Sequence, residues 1–418
     1  MKVTIIRKSF RETVYRSFTL IARILPLWKE TRAEDVLPPM FSLPVSLPVN
    51  YEKLPEEFAN QFVKTKSIPG RRIFVMKDVW VSGRGVVFKY LRIFAPSLPW
   101  LRDMTLYRKG MLFVKQWAKD VQEIPDTEIV ALVYDNWSAE NYYHWMIESL
   151  PRLLLVQKKY PDFQLLIPDP APGYIRSTID LLGFKNVLPL SRRDDKVIKV
   201  SNLALPELVY YEEEEYGSQS AYRLQQATAS EKNMQLPGSV PLPRLEEEEL
   251  IVKVRRKLLK HFYNKPAVPE RRIFVSRSRQ NTRRLLNENE VLPVLEKYGF
   301  EIIYFEGLSF NEQVQLMLET AVFVSVHGSN MVNILFLQSG ARVVEMMNQA
   351  FLNDAYYLMA SSIGLAYYSV PCTMPGTTMP LSEDTVAIND ADLVVNVPEL
   401  EETLHTALQQ PERVNKAF

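Results

Sequence analysis

His144 and Glu148 stand four residues apart in NYYHWMIESLPRL (141–153), a spacing that puts both side chains on one face of a helix. An imidazole beside a carboxylate supports general-base chemistry, with the carboxylate orienting and charging the ring or accepting the proton itself. The same spacing also suits a purely structural pair on a half-buried helix. Pro151 lacks the N–H that would reach the Ile147 carbonyl, so a kink is expected beside Glu148. Of the four histidines, His261 and His405 lie in charged or polar helical stretches and read as surface residues, which leaves His144 and His327 within motif-like sequence.

A second cluster lies in RRIFVSRSRQNTRRLLNENEV (271–291), where an apolar strand delivers Arg277 and Arg279 to a loop and Arg283 and Arg284 follow. Guanidinium groups donate in pairs and stay charged, so this cluster suits a diphosphate; a solvated basic loop is the alternative. The third segment is AVFVSVHGSNMVNILFLQSGARVVEM (321–346). Its strand ends at His327-Gly328 and a helix begins within two residues, which aims unpartnered N–H groups and a positive dipole end at an anion. Gly328 lets the backbone approach such a ligand closely, while Ser329 and Asn330 either cap the helix or touch the ligand. Glu345 ends the next strand, where a carboxylate accepts ribose hydroxyls or closes a salt bridge. Asp390-Ala391-Asp392 reads as a turn apart from the arginine loop and not as a Mg²⁺ site, so no metal or cofactor is expected. Charge on a leaving diphosphate would then be met by arginines and the helix terminus.

These residues need strands and helices to hold them. Runs at Ile73–Val75, Val86–Tyr90 and Glu128–Tyr134 are rich in β-branched and aromatic residues, and a helical stretch follows from Ser138. Strand and helix patterns then alternate to Leu205, which predicts an α/β domain with a largely parallel sheet. The composition shifts between about Ser230 and Glu249, with Pro237, Gly238, Pro241 and Pro243 ahead of four glutamates, and a second strand–helix series follows. Four parts are expected: a basic amphipathic helical segment 1–30, an acceptor-side α/β domain 31–235, a ligand-binding α/β domain 245–395, and a C-terminal helix 396–418. Prolines between 31 and 70 suit a surface connector.

The bulk properties exclude several classes. With 47% apolar and 24% charged residues the chain has the composition of a globular protein, and its 418 residues suit two cores. Fifty basic residues against 49 acidic ones provide no global field for nucleic acid. A lone cysteine, Cys372, rules out a disulfide framework and fits a reducing compartment. No run of about 18 uncharged apolar residues suggests a spanning helix. Arg16 and Arg23 interrupt the N-terminal apolar pattern, which reads as a membrane-surface helix or one docked on the protein, and poorly as a signal peptide. No Gly-x-Gly-x-x-Gly follows a strand, which weighs against a nucleotide-dependent oxidoreductase.

The ordered set NYYHWMIESLPRL, YIRSTIDLLGF (174–184), RIFVSRSRQNTRRLLNENEV (272–291) and VHGSNMVNILFL (326–337) ending in RVVEM resembles glycosyltransferase family 61 over roughly residues 125–350. The resemblance implies a GT-B fold, two Rossmann-like domains facing each other across a cleft. It also implies transfer from a nucleotide-sugar with inversion at the anomeric carbon and without a required metal. It carries the helical acid–base pair onto His144 and Glu148, the arginine loop onto Arg277 and Arg283, and the His-Gly turn onto His327 and Gly328. Without an evident leader or anchor, the chain looks like the bacterial members. That implies a cytoplasmic enzyme, peripheral at the inner membrane face if residues 1–30 touch lipid, acting on a glycan or lipid-linked acceptor of cell-surface polysaccharide. A non-catalytic nucleotide-sugar-binding or scaffold subunit of an assembly complex is the competing reading, and it has no need of an acid–base pair.

Overall fold

The computed structural model describes residues 31–221 and 249–409, apart from 38–39, 69, 91, 100–105, 119–120, 127, 194–195, 209–211, 216–217, 263–266, 351 and 376–384. The expected amphipathic segment 1–30 and the proline-rich linker therefore lie outside the described residues. The chain divides into two compact units, one of residues 1–41 with 67–244 and the other of 42–66 with 245–418.

The first unit is built on a nine-stranded mixed sheet. Strands Val187–Ser191, Gln164–Asp169, Val130–Ala131 and Val197–Pro206 run parallel in that order. The long strand Arg71–Ser82 then pairs antiparallel with Val197–Pro206, and Val87–Lys89 pairs antiparallel with it in turn. The expectation of a largely parallel sheet is corrected here. Only four residues, Gly83–Val86, separate those last two strands, and so short a connection admits only antiparallel pairing. Gly85 has φ +78°, and a Cβ there would come to 2.6 Å from the Tyr134 carbonyl oxygen. The turn thus packs against the chain leaving strand Val130–Ala131.

In the second unit, strands Glu301–Ile303, Arg271–Val275, Thr320–Val326, Arg342–Asn348 and Ala366–Thr373 are parallel neighbours in that order, with Val394–Val395 antiparallel at the edge. The central strands are almost wholly buried because both faces are covered, as in parallel sheets generally. Phe274, Val324, Val344 and Tyr368 form one core with Val291 and Leu295 of helix Glu288–Lys297 and with Leu400 and Leu404 of helix Val397–Gln409. Each fully buried leucine contributes about 1.5–3 kcal/mol.

Segment 42–66, expected with the first domain, packs in the second unit. Val49 N–H donates to the Tyr367 carbonyl at 2.8 Å, and the Asn50 amide spans Ser369, donating to its carbonyl at 2.8 Å and accepting from its N–H at 3.1 Å. Phe62 and Tyr357 meet edge to face. Those partners lie some 300 residues away, beyond the reach of any local pattern.

Candidate functional site

In the first unit, Asn141 caps a short helix, its side-chain oxygen accepting from Tyr143 N–H at 2.9 Å. The helix expected from Ser138 starts later, at Tyr142, because Asp135 holds the preceding residues in a turn by accepting from Trp137 N–H at 2.8 Å and Ser138 N–H at 3.1 Å. Residues Trp145–Ser149 then form a π-helical turn, and α-helix Leu150–Lys159 follows. The expected kink thus takes the form of one widened turn immediately before Pro151, where the missing N–H and the ring crowd the Ile147 carbonyl.

This turn brings the His144 Nδ1 to 2.8 Å from Glu148 Oε1. Glu148 is buried, and the His144 ring lies 5.2 Å, centroid to centroid, from each of the Trp137 and Tyr143 rings. Burial pushes the imidazole pKa down, but the hydrogen bond and charge of Glu148 and the charge of Asp135 outweigh it and leave the pKa raised. Behind the pair, Arg152 donates from Nε to the Glu148 carbonyl at 3.1 Å and forms a 2.9 Å ion pair with Asp135. Both members of that ion pair are buried, and it fixes the helix against the turn that precedes it.

In the second unit the predicted residues gather at the carboxyl ends of adjacent parallel strands. Arg277 follows strand Arg271–Val275, His327 follows Thr320–Val326, and Glu345 lies inside Arg342–Asn348. The Arg277 guanidinium is only 5% exposed and, among the described residues, its hydrogen bonds go to carbonyls, those of Arg283 at 3.3 Å and Thr282 at 3.2 Å. Burial, and next the charge of Arg283, bring its pKa down to about 10, so it stays a cation at neutral pH. Gly328 lies directly against it: a Cβ there would come to 2.7 Å from Arg277 Cζ. A methyl group at 328 would therefore have to push the end of the Arg277 side chain aside.

The four arginines take different roles. Arg279 stacks on the Tyr304 ring, with Cζ 3.7 Å from the centroid, and Arg284 is held by Asp392 through Nη2 at 2.6 Å and Nε at 3.1 Å. Arg277 is buried and Arg283 half-buried. Arg283 adopts φ +55°, a conformation costing a bulky side chain about 1–2 kcal/mol. Its N–H reaches the Asp390 carbonyl at 3.3 Å, and its Nε lies 3.7 Å from Asp390 Oδ1. The reading of Asp390-Ala391-Asp392 as lying apart from this loop is corrected: a parallel bridge between Leu285 and Leu393 brings it alongside. Sequence reasoning missed it because more than 100 residues intervene.

The helix expected from Ser329 is a 3-10 helix, Ser329–Phe336, and Asn330 Nδ2 is buried without a hydrogen-bond partner among the described residues. His327 Nδ1 lies 2.5 Å from Glu345 Oε1, and the Tyr367 hydroxyl donates to Glu345 Oε2 at 2.7 Å. Glu345 is fully buried, so both of its oxygens are engaged inside the protein. This geometry favours internal hydrogen bonding of Glu345 over a ribose contact. A tyrosine, Tyr367, thus stands behind His327, and Tyr356 faces the imidazole at 5.1 Å. Neither shows a local spacing signal. Among the described residues, no group of three or more His, Cys, Asp or Glu side chains is placed to hold a metal ion, and no helix is long and apolar enough to cross a membrane.

The second unit is thus a parallel α/β unit whose strand ends present a buried cation, a glycine and the start of a helix. Residues 142–344 match the family model described as glycosyltransferase 61, a stretch that holds His144, Glu148, Arg277, Arg283, His327 and Gly328. It is 33% identical over 89 residues to the EGF domain-specific O-linked N-acetylglucosamine transferase of Drosophila melanogaster, covering 21% of this chain and 17% of that protein. It is 34% identical over 103 residues to protein O-linked-mannose beta-1,4-N-acetylglucosaminyltransferase 2 of Canis lupus familiaris, covering 24% and 16%. For the Homo sapiens protein of the same name the figures are 32% over 111 residues, 24% and 19%. The chain thus aligns with less than a fifth of the length of these relatives.

Proposed function

We propose that this protein is an inverting glycosyltransferase of GT-B type that moves a sugar from a nucleotide-sugar to a glycan or lipid-linked acceptor of cell-surface polysaccharide. One observation carries the reading: the buried Arg277 cation packs against Gly328 at the carboxyl edge of a parallel sheet, and its described hydrogen bonds go to carbonyls alone. Buried charges are ordinarily paired, so such a cation suits a diphosphate arriving from solution. Arg283 and the N–H groups at Ser329 and Asn330 would share the negative charge that develops on the leaving diphosphate. His327, held by Glu345, would add a donor at the same edge.

Displacement at the anomeric carbon requires the acceptor hydroxyl to lose its proton as the new bond forms, and the proposed base is the His144–Glu148 pair. A carboxylate hydrogen-bonded to an imidazole takes that proton either directly or through the ring. Metal independence belongs to the same proposal; Asp390 and Asp392, the one Asp-x-Asp, are turned toward Arg283 and Arg284. Catalysis at the inner face of the membrane, in the cytoplasm, completes it.

The test is a panel of nucleotide-sugars, with N-acetylglucosamine donors first because the relatives' names specify that sugar. Donor binding raises the melting temperature by mass action, and turnover yields a product of inverted anomeric configuration without added metal. Binding without hydrolysis or transfer would instead identify a non-catalytic binding subunit. Activity abolished by EDTA and restored by Mg²⁺ or Mn²⁺ would remove the metal-independent part of the reading.

A further inference from the structure

The loop that carries Arg277 holds a second arginine whose charge the fold leaves unanswered. Gln280 N–H donates to the Arg277 carbonyl at 2.9 Å, which closes a tight turn with Ser278 and Arg279 at its exposed tip. Arg279 rests on the face of the Tyr304 ring, with Cζ 3.7 Å from the centroid. Among the described residues its guanidinium makes no hydrogen bond and no ion pair, unlike those of Arg277, Arg283 and Arg284. A guanidinium held in this way keeps its N–H fork and its outer face free for a ligand.

Tyr304 follows strand Glu301–Ile303, the parallel neighbour of Arg271–Val275, and Ser276 N–H extends that pairing to the Ile303 carbonyl at 3.0 Å. The stacked pair therefore stands at the same carboxyl edge as Arg277, one strand outward. Exposed Glu306 lies just beyond it, accepts from the Gln280 side chain, and carries a charge that supports the Arg277 cation.

The sheet order decides which way a nucleotide lies. The chain runs from Arg271–Val275 outward to Glu301–Ile303 and then crosses to Thr320–Val326, so the topological switch point, where such sheets bind ligands, falls between Arg271–Val275 and Thr320–Val326. On one side of it Glu345 is buried, with its oxygens taken by His327 and Tyr367. On the other side stand a free guanidinium face, a tyrosine and an accessible carboxylate. A nucleobase offers a π-face to the plane of a guanidinium and acceptors to its N–H groups, while a ribose diol donates to a carboxylate.

Building on the donor site proposed above, we infer that the nucleoside of the donor lies over the end of strand Glu301–Ile303, its base stacked on the outer face of Arg279 with Tyr304 as backing and its ribose hydroxyls donating to Glu306. Arg279 and Tyr304 thus bind the nucleoside without touching the diphosphate, and Gln280 holds the Glu306 carboxylate in place.

The experiment measures calorimetric binding of inorganic pyrophosphate and of uridine and guanosine diphosphates to the full chain. At least one nucleotide binds the parent more tightly than pyrophosphate does. Arg279→Lys keeps the charge but removes the planar fork, and Tyr304→Ala removes the backing; each weakens that nucleotide by at least about tenfold and leaves pyrophosphate within about twofold. Arg277→Ala, by contrast, weakens pyrophosphate and nucleotide alike. Glu306→Gln narrows the preference for the nucleotide over its 2′,3′-dideoxy analogue. Because Arg279 is exposed, Arg279→Lys reports on the platform whether or not Tyr304→Ala folds. If the nucleotide binds the parent and Arg279→Lys equally well while Arg277→Ala weakens it, the donor site stands and this platform is overturned. A nucleotide that binds no better than pyrophosphate also overturns it. If neither ligand binds the parent, the donor site and the platform fall together.

Discussion

Two buried arginines in this protein are treated in opposite ways. Arg152 in the first unit faces Asp135, both nearly inaccessible to water, in a 2.9 Å ion pair. Arg277 in the second unit is almost as buried, yet its described hydrogen bonds go to carbonyls. Removing either guanidinium charge from water costs several kcal/mol; Arg152 recovers that cost from a carboxylate in direct contact, while among the described residues Arg277 has only the more distant charges of Glu306 and Asp390. A cation paired with an acid of its own chain is structural, whereas one whose described hydrogen bonds end on carbonyls is the one the proposed donor site would use.

The sharpest way to break this contrast is to remove the acid from the first pair. Asp135→Asn keeps the turn contacts to Trp137 and Ser138 but leaves Arg152 buried and unpaired, and should destabilise the first unit by about 3–5 kcal/mol in urea unfolding. Arg277→Ala should do the reverse. Folding stability is kept or slightly raised, while turnover falls by about 10²–10³ with weakened donor binding. If Arg277→Ala destabilises as much as Asp135→Asn and leaves donor binding unchanged, the two arginines are alike and the donor site is misplaced.

Glu148→Gln and His144→Ala should each lower kcat by at least about 10²-fold with donor affinity nearly unchanged, which separates base chemistry from anion binding. The raised His144 pKa gives a further check. Its folded value lies above the ordinary histidine value of about 6.5, so the stability it contributes is fully present below that pH and is lost as pH rises through the folded value. The stability difference between the parent and His144→Ala should therefore shrink from acidic toward alkaline pH, and a constant difference would show that the imidazolium is not what Glu148 stabilises. The smallest effect is expected from Gly328→Ala. A methyl group there meets the Arg277 guanidinium, so donor affinity drops several-fold by displacement of that group, with a stability loss of about 1 kcal/mol or less. Restored affinity in Gly328→Ala combined with Arg277→Lys would confirm the steric cause.

Much of the second unit was legible in the residues. Apolar β-branched runs such as Thr320–Val326 become buried parallel strands, and glycines such as Gly299, at φ +72°, end helices where the pattern stops. The i,i+4 spacing of His144 and Glu148 predicted their contact because a helix is a local object, and even the widened turn was announced by Pro151. The first sheet was only half legible: its parallel strands followed from alternation with helices, but Arg71–Ser82 pairs antiparallel.

The sequence alone determined what depends on neighbours within one turn or one strand: most element types, the contact of His144 with Glu148, the arginine loop and the glycine at the strand end. Tertiary structure decided which arginines face inward, because that choice rests on Asp390 and Asp392, more than 100 residues from the loop they hold. It also decided that Glu345 is occupied by His327 and Tyr367, and that segment 42–66 belongs with strand Ala366–Thr373. Such contacts are made by packing, where residues distant in the chain compete for the same buried hydrogen bonds. Spacing along a sequence carries no record of which of them wins.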